Sequence, residues 1–215
     1  AHFTYHSHIV QEPKGIDFFI FPIIDWELRY QRPQQIAERL ANQDNRIFYF
    51  RTNFIETSNE FLSKKDIASM IKVEEYKKNK IYFVTLVSHK NYNIYKDSLD
   101  DELSMKYLNF SLDALKDLFN MTHTVTMVDL PFWSPLVTQL PHNKIIYDCM
   151  DDHAGFSTNT ENMVNNEKEL LRKSGLVLTT SNVLFQKALR INKNTILVRN
   201  ATDIEHFSSL PDSDV

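Results

Sequence analysis

Residues 124–147 read TVTMVDLPFWSPLVTQLPHNKIIY. A β-branched, apolar run at 124–128, a short helical stretch at 134–140 and a second apolar run at 144–147 make one strand–helix–strand unit. The same beat continues downstream, with a helix predicted at 160–173, a strand at 176–180, a helix at 182–190 and a strand at 195–198. Upstream, 16–21 reads as a strand buried on both faces. A helix follows at 33–43, with proline in its first turn and Ile36, Ala37, Leu40 and Ala41 on one face. Residues 47–50 are the next strand. The segment 71–87 reads as a polar strand, a Lys-Lys-Asn-Lys turn and a second strand, a hairpin or an edge insertion, and 100–119 as a long helix. This alternation predicts an α/β, Rossmann-like fold: a mostly parallel sheet with helices on both faces and right-handed crossovers.

With 215 residues, 42% of them hydrophobic, the chain can bury a large core, and disorder or a fibrous architecture is excluded. Residues 1–15, which carry His2, His6 and His8, are expected to be a flexible N-terminal segment. The Rossmann-like domain is expected over 16–207, and 208–215 reads as the start of an interdomain linker. Only three glycines occur, Gly15, Gly155 and Gly175, where ordinary usage of roughly 7% would give about fifteen. Coding bias toward Asn, Lys, Ile, Tyr and Phe accounts for most of that shortage. Neither G-x-G-x-x-G nor G-x-x-x-x-G-K-[ST] can be written from them, so a glycine-rich phosphate cradle is excluded. A net charge of -4 without a basic stripe argues against nucleic acid, or an anionic membrane held mainly by charge. The single cysteine, Cys149, cannot form an internal disulfide or a zinc ribbon, which points to a reducing compartment. Neither a signal-peptide core nor an apolar run of roughly eighteen residues is present, so a cytoplasmic location is expected. The sequons at Asn109, Asn120 and Asn200 then read as chance.

In an open parallel sheet, ligands bind beyond the carboxyl ends of the strands. The loops entering strands here are short polar turns, whereas those leaving strands (22–32, 51–59, 129–133, 148–157, 181 and 200–203) hold the unusual residues. The first of them runs DWELRYQRPQQ over 25–35, directly into a helix whose free N–H groups favour an anion. Trp26, Arg29, Gln31, Arg32 and Gln34 are therefore candidate ligand-binding residues. The alternative is that Arg29 and Arg32 pair with Asp25 or Glu27 at the surface while Trp26 plugs the core. A second cluster, YDCMDDHAGF at 147–156, brings three carboxylates and an imidazole together. Asp148, Asp151, Asp152 and His153 suggest general acid–base work, a raised carboxylate pKa or a metal. Metal is the weakest of these, because Asp-Asp-His is too compact to supply three ligands to one ion, and strand-end aspartates also serve as turn and capping residues. Glu167, at helical spacing between Met163 and Leu170, is either partnered within the fold or reaches the crevice.

Four stretches taken together resemble the amino-terminal half of GT-B glycosyltransferases: 25–37 with the helix and strand after it, 147–152 with the Glu167 helix, Leu178-Thr-Thr-Ser, and Arg199-Asn-Ala-Thr-Asp-Ile-Glu-His-Phe. The likeness is greatest to the bacterial group that builds teichuronic acid, capsule and O-antigen, and it spans about 16–207. It implies a two-domain enzyme of cell-surface polysaccharide synthesis, in which this domain holds a glycan or lipid-linked acceptor. A C-terminal domain, expected after Val215, would hold the donor, a nucleotide sugar. No tightly bound cofactor and no metal are implied, peripheral association with the inner face of the membrane is, and this fragment alone is expected to be inactive. On the same resemblance the loop of Arg29, Gln31, Arg32 and Gln34, with Trp26, faces donor phosphates and acceptor. Asp148 and Asp151 fall where related enzymes place a polar active-site residue and are the candidate catalytic pair. Asp152, His153 and Ser181 line the same edge, and Glu167 supports it from behind. Asn200 and Asp203 correspond to an Asn-Gly-Val-Asp turn, with Ala201 and Thr202 replacing Gly-Val.

The implied mechanism is electrostatic: arginines and a helix terminus stabilise a departing diphosphate while Asp148 or Asp151 orients or deprotonates the acceptor hydroxyl. Replacing Arg32 by Ala is expected to cut turnover with little loss of folding. Two other readings stay open. A receiver-type regulatory domain would need an acidic pair after the first strand, where Pro22-Ile23-Ile24 stands instead. A carbohydrate-binding module could use Trp26, Tyr30, Trp133 and Phe156 as stacking faces.

Overall fold

The structure is a computed structural model that describes residues 15–153 and 160–200. Residues 1–14 of the expected N-terminal segment, Gly155, Phe156, Asp203 and the linker lie outside the described residues. The chain starts with β1 (Asp17–Phe21), α1 (Arg32–Ala41) and β2 (Arg46–Phe50), and both strands are buried along their whole length. Next come β3 (Ile55–Glu56), α2 (Lys64–Met70), β4 (Lys72–Lys77), β5 (Ile81–Thr85) and β6 (Val87–Ser88). The long α3 (Glu102–Leu118) leads to β7 (Thr124–Val128), and a 3-10 turn over Pro131–Trp133 runs into α4 (Ser134–Val137). The last third is β8 (Asn143–Cys149), α5 (Glu161–Lys173), β9 (Leu176–Thr179), α6 (Asn182–Leu189) and β10 (Thr195–Leu197).

Among the described residues eight strands form one sheet in the order β10-β9-β8-β7-β1-β2-β5-β4. Every neighbouring pair is parallel except the β4–β5 hairpin, which caps one edge with the charged strand KVEEYK. This is the α/β, Rossmann-like fold that the alternating pattern predicts. The small β3–β6 sheet and α2 are additions that the pattern does not announce, because two-residue strands and a seven-residue helix carry no usable period.

Side chains alternate across the sheet, and each face has its own core. On one face Phe19, Phe48, Val128 and Tyr147 pack with Leu108, Leu112 and Leu115 of α3, Leu136 of α4 and Leu170 of α5. On the other, Ile20, Ile47, Tyr49 and Met127 pack against Ala37 and Ala41 of α1. The direction of travel explains this division. From β1 the chain steps outward to β2 and β5, then returns through α3 to β7 and proceeds the opposite way, so right-handed crossovers put α1 and the later helices on opposite faces. The reversal falls between β1 and β7, where Phe21 pairs with Val128, and Val128 in turn with Tyr147.

Among the described residues four non-glycine residues adopt left-handed backbone, Asp44, Asn79, Asn120 and His142, each in a turn that enters a strand. Glycine would be the ordinary choice there, and Asn, Asp and His are the side chains that tolerate it best. Gly15 has a different constraint: a Cβ on it would lie 2.5 Å from the Asp44 carbonyl oxygen.

Candidate functional site

The carboxyl ends of the parallel strands bring the first two clusters of the sequence into contact. Arg32, the first residue of α1, donates from Nε to Asp148 Oδ2 at 2.7 Å and from Nη2 to Asp148 Oδ1 at 2.9 Å. Its Nη1 donates to the Val198 carbonyl at 3.1 Å and reaches Asn200 Oδ1 at 3.5 Å. One guanidinium thus ties the β1–α1 loop, the end of β8 and the segment leaving β10. The Asp148 side chain is 0% exposed and that of Arg32 13%. Burial is the main influence on the Asp148 carboxyl and raises its pKa, while the bidentate Arg32 pulls it back; the net direction is upward.

Beside this pair stands Asp129, the first residue after β7, which lies in one of the unusual strand-leaving loops but is not among the candidate site residues of the sequence. Asp129 follows Val128 as Asp148 follows Tyr147, so the register places the two aspartates on adjacent strands, on the α1 face. Asp129 is 1% exposed, and neither carboxyl oxygen has a hydrogen-bond partner. Burial first, then the charge of Asp148, drives the Asp129 carboxyl well above the usual carboxylate range, and Arg32 offsets only part of this. The Ile23 backbone also pulls the Asp129 carboxyl downward, although no hydrogen bond of ordinary length and angle is made to it. The sequence signal was a carboxylate immediately after an apolar strand, seen at both 129 and 148 but read at only one.

The β1–α1 loop is built by its own side chains. Gln34 is fully buried; its Nε2 donates to the Arg29 carbonyl at 2.7 Å, and its Oε1 accepts from the Gln31 amide at 3.0 Å. Trp26 is buried against Tyr49, Tyr76 and Phe83, the core-plugging alternative rather than a ligand platform. Asp25 accepts from the Thr52 amide and hydroxyl at 2.9 and 2.6 Å, and Glu27 pairs with Arg51. The acidic residues proposed as surface partners for Arg29 and Arg32 are therefore engaged elsewhere. Arg29 and Gln31 are exposed, and among the described residues no ion pair holds Arg29. Three consecutive carbonyls of this loop are pinned by side chains: Pro22 by Trp133 Nε1 at 3.1 Å, Ile24 by the Tyr49 hydroxyl at 2.7 Å, and Ile23 by the Tyr95 hydroxyl.

Of the second cluster, Asp151 is exposed and Asp152 pairs with Lys187. His153 is buried, and burial lowers its pKa against the opposing pull of Asp151 and Asp152. Ser181 caps α6, accepting from the Leu184 amide at 3.3 Å. Asn200 is exposed beside Arg32. Glu167 lies on the opposite face from Asp148, where its Oε1 accepts from the Tyr147 hydroxyl at 3.1 Å and lies 3.9 Å from Cys149 Sγ. It is partnered within the fold, and burial raises its pKa. Its link to the crevice runs through Cys149, whose Sγ sits 3.8 Å from the Asp151 carbonyl oxygen. Among the described residues no three His, Cys, Asp or Glu side chains gather as a metal site, and no helix is long and apolar enough to cross a membrane.

Fold and site together define a Rossmann-like α/β domain with an Arg–Asp centre at the carboxyl edge of its sheet, next to the reversal in strand order. No protein-family model matches the chain, and no curated protein matches it. Among solved structures it is similar to a sucrose-phosphate synthase chain from Thermosynechococcus elongatus at a TM-score of 0.54 and 14% identity, over 90% of this chain and 92% of that one. A second match, at a TM-score of 0.48 and 10% identity, is the catalytic domain of starch synthase IV from Arabidopsis thaliana bound to ADP and acarbose; it covers 93% of this chain and 54% of that one. The first likeness is one of fold.

Proposed function

We propose that the chain is the acceptor-binding half of a GT-B glycosyltransferase, one that moves a sugar from a nucleotide sugar to a glycan or lipid-linked acceptor in cell-surface polysaccharide synthesis. The observation that carries this reading is the convergence of Arg32, Asp148 and Asn200. They come from three of the four stretches on which the resemblance rests, and they meet at the sheet edge where open α/β folds bind ligands. In this reading a second, donor-binding domain completes the cleft, the nucleotide sugar is the donor substrate, no further cofactor is tightly bound, and the enzyme works on the cytoplasmic side of the membrane.

In this reading the site residues take different roles. Asp148 has both oxygens committed to Arg32, so its part is to hold that guanidinium and the start of α1 in place. Asp151 is the exposed carboxylate and the one able to accept a proton from an acceptor hydroxyl. Arg29, exposed and without an ion pair among the described residues, is the cation available to a departing diphosphate; Arg32 is not, unless it leaves Asp148. The domain boundaries at 16–207, with a linker following, belong to the same reading.

Calorimetric titration of the chain tests it. Oligosaccharides are expected to bind, and UDP- and GDP-sugars are not, since the nucleotide grip belongs to the other half. Binding of nucleotide sugars by this chain alone would contradict that division of labour.

A further inference from the structure

We propose that Asp129 is a ligand-binding residue that takes a hydroxyl group of an uncharged sugar or polyol into the β1–β7 switch point. This rests on the reading above of a glycan-binding edge, and it adds a residue to which that reading gives no role. Three observations lead to it. Asp129 and Asp148 occupy adjacent positions on neighbouring parallel strands, on the same face, and strands in a sheet lie about 4.8 Å apart. The charge of Arg32 acts on both carboxyls, but its bidentate grip is spent on Asp148. Asp129 is left with two oxygens that are buried and unpartnered, a condition that native folds rarely tolerate without a purpose.

The surroundings select the chemistry of the missing partner. A second cation is disfavoured, because the Arg32 guanidinium already sits at the centre, and an anion is repelled by Asp148. With the Arg32 guanidinium spent on Asp148, burial and the neighbouring carboxylate both favour the neutral form of Asp129. A neutral carboxyl offers one O–H donor and a carbonyl acceptor, the complement of an alcohol, which both accepts and donates.

The way in is also indicated. Phe21 pairs with Val128, so the Pro22–Ile24 segment leaves the sheet beside the end of β7, and each of its three carbonyls is held by a ring donor. Trp133 and Tyr49 are both fully buried, whereas Tyr95 is half exposed, so the Tyr95–Ile23 bond is the one of the three that borders solvent.

The experiment compares the wild-type chain with Asp129→Leu and Asp129→Asn. Each is titrated with a panel of methyl pyranosides (gluco, galacto, manno, rhamno and N-acetylgluco), followed by calorimetry and by the carboxyl carbon resonances of labelled aspartate. The Asp129 resonance, assigned by its loss in Asp129→Asn, is expected to move on addition of at least one glycoside. Affinity for that glycoside is expected to fall about tenfold or more in Asp129→Leu, the loss of one good hydrogen bond, and to stay within about threefold in Asp129→Asn. Because the wild type buries an unpartnered carboxyl, Asp129→Leu should raise the Tm by about 2–4 °C while weakening binding, a combination that a purely structural residue does not give. Equal glycoside affinity in the wild type and Asp129→Leu overturns this inference and leaves the glycan-binding edge intact. Absence of binding by any glycoside to the wild type overturns both.

Discussion

The most consequential perturbation is Arg32→Ala. In the sequence it looked like an active-site change that would spare folding, but the structure places its guanidinium against a carboxylate that is wholly buried, beside a second buried carboxyl. Removing one partner of a buried pair costs about 3–5 kcal/mol, because the remaining charge keeps its desolvation penalty and loses its compensation. At roughly 2–4 °C per kcal/mol for a chain of this size, the Tm should fall by roughly 10 °C. The loss should depend on pH. Burial already holds the Asp148 carboxyl above its ordinary range, and without Arg32 it rises further. A carboxyl whose folded pKa is raised stabilises the fold below its unfolded pKa, and that contribution is lost as pH rises through the folded pKa. The deficit of Arg32→Ala relative to wild type should therefore be smaller near pH 4 than near pH 8, growing as the Asp148 carboxyl of the variant loses its proton. Calorimetric Tm values and urea curves at the two pH values measure it directly. Arg32→Met combined with Asp148→Leu, which removes both charges, should recover most of the loss. A deficit below about 1 kcal/mol at pH 8, or one that is the same at both pH values, would refute the assignment of a buried pair.

Other outcomes follow from the same packing. Trp26→Ala should cost about 3–5 kcal/mol in urea unfolding, since the indole fills a pocket of Tyr49, Tyr76 and Phe83; a surface platform would cost next to nothing. Burial pushes the Cys149 thiol up to about 12, so the folded chain should not react with a disulfide reagent at pH 8, and one thiol should titrate on unfolding. Glu167→Gln should raise the Tm at pH 8 and leave it nearly unchanged at pH 4, because burial raises the Glu167 carboxyl and the charged form weakens the fold only at the higher pH.

The periodicity carries the fold well because its strands are buried on both faces and its helices are amphipathic, which are the two patterns that local sequence records best. The hairpin at 71–87 was readable too, since the Lys-Lys-Asn-Lys turn places Asn79 where the backbone must turn left-handed. The candidate site was legible only in part. That Arg32 and Asp148 are both special could be read from their loops, but that they hold each other across 116 positions could not, because the pairing depends on α1 and β8 converging in space. Trp26 sits in a polar loop, where composition cannot tell an inward ring from an outward one. Asp129 is not singled out by the sequence because a single strand-end aspartate is ordinary; it becomes unusual only when the register sets Asp148 beside it and the fold buries it without a partner.

The left-handed residues Asp44, Asn79, Asn120 and His142 have a consequence for engineering. All four stand at the amino-terminal rim of the sheet, as far along the strands from the Arg32–Asp148 centre as the fold allows. Each carries a conformational cost that glycine would relieve, up to about 1 kcal/mol, partly offset by the greater freedom glycine has in the unfolded chain. Asn120→Gly and Asn79→Gly therefore offer stability at a distance from the ligand edge. That reserve could absorb the losses expected when Arg32 or its neighbours are changed, and so keep otherwise marginal site variants folded long enough for their binding to be measured.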